Sequence, residues 1–143
     1  MGQKIIICQG LPASGKSTWS KQYCKDNQDF LRINKDDIRD FFYNIPFSYE
    51  FEEKIIELER LYAHTIITQG KSLIVDDTNL NKRYVNYWQN FAKKQGIEFE
   101  IKTFDTPPEE CIKRDLEREK SVGKAVIMNM YKKYIQIDED KNI

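Results

Sequence analysis

One stretch of the chain constrains its fold more than any other, the run Gly10-Leu11-Pro12-Ala13-Ser14-Gly15-Lys16-Ser17. It matches the pattern G-x-x-x-x-G-K-[ST] at every fixed position. The apolar run 4–8 before it predicts a buried strand, and residues 17–24 after it predict the start of a helix. This strand–loop–helix setting is the one in which the pattern binds phosphate, so an ordinary glycine-rich turn is the weaker interpretation.

The residue types of this loop suit a nucleoside triphosphate. Gly10 and Gly15 let the backbone turn sharply and bring its N–H groups close to an anion. The following helix adds the positive end of its dipole. Lys16 can reach the β- and γ-phosphates, and the Ser17 hydroxyl can ligate Mg²⁺. The loop residues predicted to bind ATP are Gly10, Leu11, Pro12, Ala13, Ser14, Gly15, Lys16, Ser17 and Thr18.

The composition bounds the class of protein. With 143 residues, 40% hydrophobic and 32% charged, we expect one soluble domain over 1–143, with no membrane span or signal peptide. Cys8, Cys24 and Cys111 form no C-x-x-C pair, which favours reduced packing thiols in the cytoplasm. The formal net charge of zero argues against a strongly basic nucleic-acid wrapper, but it leaves a local basic groove open.

Strand and helix patterns alternate along the rest of the chain, which predicts an α/β fold. The predicted strands cover about 3–9, 30–34, 72–75 and 97–104, the last of them the most exposed. The predicted helices cover about 17–26, a stretch from near Asp37, 50–69, 81–94, a stretch from Pro107-Pro108, and 125–137. We expect His64 to be structural, and the acidic end 138–140 to fray.

Charged residues follow the second predicted strand. Asp36 lies nearest the strand end, where ligands bind in α/β sheets, and it is a candidate general base. Arg39 is one helical turn further on and could grip an acceptor phosphate. Asp36 could equally be the N-cap of the helix that starts near Asp37.

Two acids also follow the third predicted strand. Asp77 is the stronger candidate for the site, and it could hold Mg²⁺ directly or through water; Asp76 is the weaker one. A turn with an Asx cap is the alternative, in which Asn79 or Asn81 could cap the next helix and leave the acids free.

Two further segments have two interpretations each. The aromatic residues Phe41, Phe42, Tyr43, Phe47, Tyr49 and Phe51 could stack on bases, but we favour core packing for most of them. Arg114 and Arg118 share a helix face next to the polar, glycine-containing segment 118–124, which suits a mobile lid over a nucleotide. A solvated helix with salt bridges to Glu110, Glu117 or Glu119 is the alternative.

Taken together, these motifs resemble the kinase domain of the bacteriophage-type polynucleotide kinases, within the zeta-toxin-like and AAA-type small P-loop kinases. The resemblance covers nearly the whole chain. It rests on the loop, on Asn34-Lys35-Asp36-Asp37-Ile38-Arg39, on Asp76-Asp77-Thr78-Asn79-Leu80-Asn81, and on the arginines ahead of Val126-Ile127 and Met130-Tyr131. The run at 34–39 points most narrowly to polynucleotide 5′-kinases.

The resemblance implies a P-loop three-layer α/β/α sandwich with a helical lid and with the second strand at one edge of the sheet. It implies ATP and Mg²⁺, with Ser17 and Asp77 at the metal, and catalytic roles for Asp36, Lys16 and Arg118. Arg114 and Arg118 would contact the donor, and the acceptor, a 5′-hydroxyl end of DNA or RNA, would contact Asp36, Arg39, Asp77 and Thr78.

The chain also departs from this family. We expect it to lack the 3′-phosphatase domain that members often carry, which leaves open whether it forms a homo-oligomer. Lys35 stands where the family often has arginine. A phage-encoded chain would work in the host cytoplasm. Two other functions stay open: a P-loop kinase for a small molecule or modified base, such as a nucleoside, sugar or antibiotic, and a nucleotide-dependent switch or binding module.

Overall fold

In the computed structural model, which describes residues 2–44, 48–137 and 139, the chain folds around a parallel sheet with helices on both faces. The strands are β1 (Lys4–Gln9), β2 (Phe30–Ile33), β3 (Ser72–Val75) and β4 (Glu98–Thr103). The helices are α1 (Lys16–Asp26), α2 (Lys35–Phe41), α3 (Tyr49–Thr68), α4 (Lys82–Gln95), α5 (Pro108–Leu116) and α6 (Lys124–Met130). The predicted α/β/α sandwich is confirmed.

The strand order is β2-β3-β1-β4, and every pairing is parallel. Ile6 of β1 lies between Ile74 of β3 and Glu100 of β4. The second strand therefore lies at one edge, as the resemblance implies, and β4 at the other edge is the most exposed strand. Because all strands run the same way, the segments that follow them meet at one end of the sheet.

Two apolar layers hold the helices to the sheet. On one face, Trp19 and Tyr23 of α1 pack against Ile6 and Cys8. On the other face, α3 and α4 cover the strands with Ala63, Ile67, Trp88 and Ala92, against Ile5, Ile7, Leu73 and Val75. A third cluster, made by Leu11, Cys111 and Ile127, fixes α5 and α6 over the loop after β1.

The buried face of α3 is offset from the predicted stripe. The spacing predicts that Phe51, Ile55, Leu58, Tyr62 and Ile66 face the core. Of these residues, Ile55 is buried and Ile66 packs against the core, whereas Tyr62 is partly exposed. The other buried residues of α3 are Glu59, Ala63 and Ile67. The chain therefore buries a carboxyl group on this helix, because Glu59 lies one turn from both Ile55 and Ala63.

Helix ends settle two alternatives left open by the sequence. Asn34 caps α2 by accepting a hydrogen bond from the N–H of Asp37 at 2.9 Å, so Asp36 is not the cap. Asn81 caps α4 in the same way, with the N–H of Arg83. Asn79 instead has a positive φ of 45° and donates to the carbonyl oxygen of Cys8.

The C-terminal helix differs from the predicted single α-helix over 125–137. It is α-helical over α6 and continues as a π-helix over Tyr131–Gln136. The expected fraying of 138–140 falls mostly outside the described residues, as do Pro46 and Phe47.

The described cysteines Cys8, Cys24 and Cys111 are free thiols, and burial raises the pKa of Cys8 to about 12, which agrees with a packing role.

The expected core packing of the aromatic residues is wrong for most of those described. Phe41 and Tyr43 are 76% and 88% exposed, and Phe42 and Tyr49 are also exposed. Phe42 contacts the rings of Phe41 and Phe51 edge-on. These exposed rings form an aromatic surface beside α2.

No helix in the described parts of the chain is both long and apolar enough to span a bilayer.

Candidate nucleotide and acceptor site

The loop between β1 and α1 has a backbone that needs its glycines. A Cβ on Gly10 would lie 2.9 Å from the carbonyl oxygen of Phe104, so a larger residue does not fit. Gly15 has φ of 104°, a left-handed conformation that glycine adopts without strain. Gly15 is also the N-cap of α1, and a helix N-terminus with no side-chain cap suits an anion.

Lys16 lies buried within this loop. Its Nζ donates to the carbonyl oxygens of Leu11 at 2.6 Å and Gly10 at 3.1 Å. Burial lowers the pKa of Lys16, because water no longer stabilises the charged form. Neutral carbonyl groups compensate an ammonium poorly, so a phosphate bound on the loop would give Lys16 the anionic partner that it lacks there.

A cavity of about 380 Å³ opens over the loop. Its wall consists of loop residues and two arginines, namely Pro12, Ala13, Gly15, Lys16, Ser17, Thr18, Arg114 and Arg118. Arg114 pairs with Glu110 at 3.3 Å, and Arg118 pairs with Asp115 at 2.7 Å. The pair with Glu110 is one of those predicted, whereas Arg118 pairs with Asp115 and not with the predicted Glu117 or Glu119. Both arginines form ion pairs and also line the cavity over the loop.

A larger cavity of about 560 Å³ shares no residue with this one. It lies beside the segment 103–109 and is bounded by Tyr131, Tyr134 and Ile135. The smaller cavity is the candidate site for a nucleotide, because the loop lysine and the arginines converge there, and these groups recognise phosphate.

Asp115 organises the lid between α5 and α6. Its side chain is buried and accepts hydrogen bonds from Ser121 Oγ at 2.6 Å and from the N–H groups of Val122 and Gly123 at 3.0 and 2.9 Å. Burial favours the neutral acid, but these bonds and Arg118 outweigh it and hold the pKa of Asp115 well below its usual range. One carboxylate thus fixes both the lid backbone and Arg118.

The lid also reaches across to α2. Lys120 Nζ lies 2.8 Å from Asp40 Oδ1, and both side chains are exposed. This ion pair brings the lid next to the helix that carries Asp36 and Arg39. The lid and α2 are therefore neighbours at this end of the sheet.

Asp36 and Arg39 lie together on α2, as their spacing predicts. Arg39 Nη1 donates to Asp36 Oδ1 at 2.6 Å, and the Asp36 side chain is 79% exposed. Glu52 of α3 accepts from Arg39 Nε at 2.8 Å and from Nη2 at 2.5 Å. These contacts raise the pKa of Arg39, chiefly through Glu52. Glu52 therefore holds the guanidinium in a fixed orientation beside Asp36.

Asp77 is held below α2 by Lys35. One oxygen of Asp77 accepts from the N–H of Lys35 at 2.9 Å, and the other accepts from Nζ at 3.0 Å. Glu59 lies 3.6 Å from the same Nζ. Burial and the charge of Asp77 raise the pKa of Glu59, so Glu59 carries the proton of this buried acid pair. The compact ammonium of Lys35 suits two carboxyl groups that converge on one point.

Asp76 points to the opposite face of the sheet, toward α1. Its Oδ2 accepts from Ser20 Oγ at 2.8 Å and from Arg32 Nε at 2.7 Å. Its Oδ1 is buried and has no hydrogen-bond partner among the described residues. Arg32 also contacts Asp37 at 2.5 Å and Ser17 Oγ at 3.4 Å.

The residues around Asp76 fit a magnesium ion better than those around Asp77. Mg²⁺ prefers oxygen ligands and keeps several waters. Ser17 offers a hydroxyl group and Asp76 a carboxylate oxygen without a partner. The assignment of Asp77 to the metal stays a prediction, but both of its oxygens are already hydrogen-bonded to Lys35.

Sequence reasoning missed four side chains of this site, namely Arg32, Glu52, Glu59 and Asp115. Asp115 could have been found, because it lies three residues before Arg118 on a helix. Arg32 could have been found by alternation, because its neighbour Ile33 faces the opposite side of the sheet. Glu52 and Glu59 gave no signal, since their partners lie on other elements.

Comparison with known proteins identifies relatives of this chain. The family described as the AAA domain matches residues 5–136. L-seryl-tRNA(Sec) kinase of Methanococcus maripaludis is 33% identical over 135 residues, covering 91% of this chain and 52% of that protein. A putative bifunctional polynucleotide kinase/RNA ligase of Autographa californica nuclear polyhedrosis virus is 26% identical over 152 residues, covering 95% of this chain and 21% of that protein.

Solved structures show the same fold. A chain from the Pnkp1/Rnl/Hen1 RNA repair complex superposes with a TM-score of 0.84 at 26% identity, over 98% of this chain and 46% of that one. The APS kinase CysC of Mycobacterium tuberculosis, in complex with AMPPNP and APS, superposes with a TM-score of 0.62 at 19% identity, over 80% of this chain and 69% of that one.

The phosphate loop, the parallel sheet and the arginine-bearing lid define a P-loop kinase fold, and the resemblance to polynucleotide kinases is confirmed. Within this class, the chain belongs to the AAA domain family. It spans about half the length of the first curated relative and about a fifth of the second.

Proposed function

We propose that this chain is an ATP-dependent polynucleotide 5′-hydroxyl kinase, which transfers the γ-phosphate of ATP to the 5′-hydroxyl end of DNA or RNA. The observation that carries this proposal is the Asp36–Arg39 pair, joined at 2.6 Å on a helix that faces the arginine-bearing lid. A base and a phosphate-binding group side by side suit an acceptor that carries both a hydroxyl and a phosphate. Repair of nucleic-acid ends is the natural setting.

The donor half binds and orients ATP. Lys16, the loop N–H groups and the N-terminus of α1 hold the phosphates. Arg114 and Arg118 approach from the lid side of the cavity. When Mg²⁺ is bound with the nucleotide, it neutralises phosphate charge, and Ser17 and Asp76 are the residues that would hold it. The lid arginines offset the charge that develops during transfer.

The acceptor half removes one proton. The 5′-oxygen attacks the γ-phosphorus as the bond from that phosphorus to the β–γ bridging oxygen breaks. The hydroxyl proton passes to a carboxylate oxygen of Asp36, whose exposure leaves it open to a substrate. Arg39, oriented by Glu52, would hold a 3′-phosphate of the terminal nucleotide. The products are a 5′-phosphate end and ADP.

A second candidate function keeps the donor half and changes the acceptor. The relative from Methanococcus maripaludis is named as a kinase of L-seryl-tRNA(Sec), and it is more identical to this chain than the viral relative is. The donor groups contact ATP alone, so they fit a hydroxyl on an aminoacyl group, a nucleoside or a sugar equally well. In that case Asp36 keeps its role and Arg39 holds no 3′-phosphate.

One labelling experiment separates these candidates. The protein is incubated with Mg²⁺, γ-labelled ATP and a panel of 5′-hydroxyl DNA and RNA oligonucleotides, 3′-phosphorylated nucleosides, free nucleosides, sugars and seryl-tRNA. We expect label on oligonucleotides and 3′-phosphorylated nucleosides. Label on sugars, nucleosides or the seryl group alone would replace the first proposal with the second. Arg39→Ala should lower transfer to 3′-phosphorylated acceptors and leave acceptor-independent ATP hydrolysis unchanged.

A further inference from the structure

Arg32 occupies an unusual place for an arginine on an edge strand. Its side chain extends from β2 along the α1 face of the sheet and is mostly buried. Three of its nitrogen atoms each contact a different residue: Nε contacts Asp76 at 2.7 Å, Nη1 contacts Asp37 at 2.5 Å, and Nη2 contacts Ser17 Oγ at 3.4 Å. One guanidinium therefore joins the ends of β2, β3 and the phosphate loop.

We propose that Arg32 is a built-in cation of the metal site, which competes with free divalent metal for Asp76 and Ser17. The metal then enters the site together with the nucleotide. The inference rests on the donor half of the proposed function and is independent of the acceptor.

The contacts of Asp76 support competition. Arg32 and Ser20 use one carboxylate oxygen, and the other oxygen is buried without a hydrogen-bond partner among the described residues. A buried carboxylate is a strong binding site for a dication only while its charge is not already balanced. Arg32 balances that charge, so the site has little net attraction for a free ion.

The contact of Arg32 with Ser17 gives the competition a geometric basis. When the Ser17 hydroxyl ligates a metal through its oxygen, its proton points away from the metal and cannot accept a hydrogen bond from Arg32. The positive guanidinium also repels the metal ion itself. Phosphate oxygens of a bound nucleotide add negative charge on the other side of the metal. They offset the repulsion by Arg32, whereas a free ion arrives without them.

The position of Asp37 shows how Arg32 could yield. Nη1 is held by Asp37, whose side chain is exposed, so the guanidinium can retain this partner while Nη2 leaves Ser17. The weakest of the three contacts, at 3.4 Å, is the one that the metal has to replace. A movement of Arg32 away from Ser17 would therefore leave the ion pair with Asp37 in place.

Binding of Mn²⁺ to the nucleotide-free protein tests this proposal, with free and bound Mn²⁺ measured by electron paramagnetic resonance. Arg32→Gln should bind Mn²⁺ at least about tenfold more tightly than the wild-type protein does. Lys25→Gln removes the same charge from an exposed position at the end of α1 and should leave the affinity unchanged. Arg32→Gln combined with Asp76→Asn should return to the weak binding of the wild type.

Three results would overturn the proposal. Arg32→Gln could bind Mn²⁺ as weakly as the wild type or more weakly, which would make Arg32 a positioning residue for Asp76. The double variant could keep the tight binding, which would place the metal elsewhere. Lys25→Gln could bind as tightly as Arg32→Gln, which would reduce the effect to net charge.

A second measurement applies if Arg32→Gln does not fold. In the wild-type protein, the Nε–H signal of Arg32 in a nitrogen-15 spectrum should shift on addition of MgATP and stay unchanged with the same concentration of Mg²⁺ alone. An equal shift with Mg²⁺ alone would overturn the proposal. Neither measurement involves an acceptor, so failure of the polynucleotide kinase proposal leaves both results interpretable.

Discussion

The two halves of the site are built in different ways. The centre of the donor half is one continuous stretch, residues 10–18, which joins the end of β1 to the start of α1. The acceptor half is assembled from α2, α3 and the end of β3, through contacts such as Arg39–Glu52 and Lys35–Asp77. A local motif positions phosphate groups by backbone geometry, whereas an acceptor site depends on ion pairs between separate elements. The donor half therefore indicates the class of reaction, and the acceptor half determines the substrate.

The largest effect separates the two halves by function. Asp36→Asn should lower phosphate transfer about 10²–10⁴-fold, because the amide cannot accept the hydroxyl proton. ATP affinity should stay unchanged, since Asp36 does not line the nucleotide cavity. Lys16→Met, in the donor half, should lower both the rate of phosphate transfer and the affinity for ATP. Transfer is measured with labelled ATP and affinity by calorimetry; a wild-type transfer rate in Asp36→Asn would remove the proposed base.

The second largest effect tests how far the donor half depends on the lid. Asp115→Ala leaves Ser121, Val122 and Gly123 without their common acceptor, which should cost about 1–3 kcal/mol in the free energy of unfolding. It also releases Arg118, so ATP affinity should fall.

Two further variants of α5 are controls for the lid, one at Asp115 itself and one at Glu110. Asp115→Asn keeps one acceptor oxygen and should lose less stability than Asp115→Ala does. Glu110→Ala breaks the exposed pair with Arg114 and should change stability by less than about 1 kcal/mol. Urea unfolding measures the free energy of unfolding of each variant, and calorimetry measures its affinity for ATP. Equal losses in Asp115→Ala and Glu110→Ala would show that Asp115 does not organise the lid.

The same contrast explains what the sequence could predict. The four strands and the loop are predicted by hydrophobic periodicity and by a motif with fixed spacing, and Asp36 and Arg39 meet because one helical turn separates them. The parallel sheet with β2 at one edge is instead implied by the resemblance to the kinase family. The burial of Glu59 could not be predicted, because a glutamate on an amphipathic helix normally faces solvent. Its partners Lys35 and Asp77 lie on other segments and come next to it only in the folded chain. The exposure of the aromatic residues Phe41, Phe42, Tyr43 and Tyr49 was not predicted, because large apolar rings are more often buried than exposed.

The buried acid pair below α2 predicts a pH dependence. The pKa of Glu59 is raised in the folded protein, so folding favours its protonated form. The stability contribution is fully present below the ordinary pKa of a glutamic acid. It is lost as the pH rises from the mildly acidic range through neutrality toward alkaline pH.

Glu59→Gln should remove that pH dependence, since glutamine imitates the protonated acid. Urea unfolding between pH 5 and pH 9 (roughly the span over which such a carboxyl group can titrate) should show a smaller loss of stability in Glu59→Gln than in the wild type. Asp77→Asn serves as the comparison at the partner acid. An identical pH profile for Glu59→Gln and wild type would show that Glu59 is ionised in the folded protein.

The smallest effects are expected in the aromatic surface beside the acceptor half. Phe41→Ser and Tyr43→Ser should change the free energy of unfolding by less than about 0.5 kcal/mol, because both side chains are exposed. Leu61→Ser, an exposed apolar position on α3, is the matched control. If the rings stack on bases, Phe41→Ser should raise KM for oligonucleotides more than it raises KM for 3′-phosphorylated nucleosides. An equal change in KM for the two kinds of acceptor would exclude these rings from the acceptor site. Substrate selection would then depend on the ion pairs of α2 and α3.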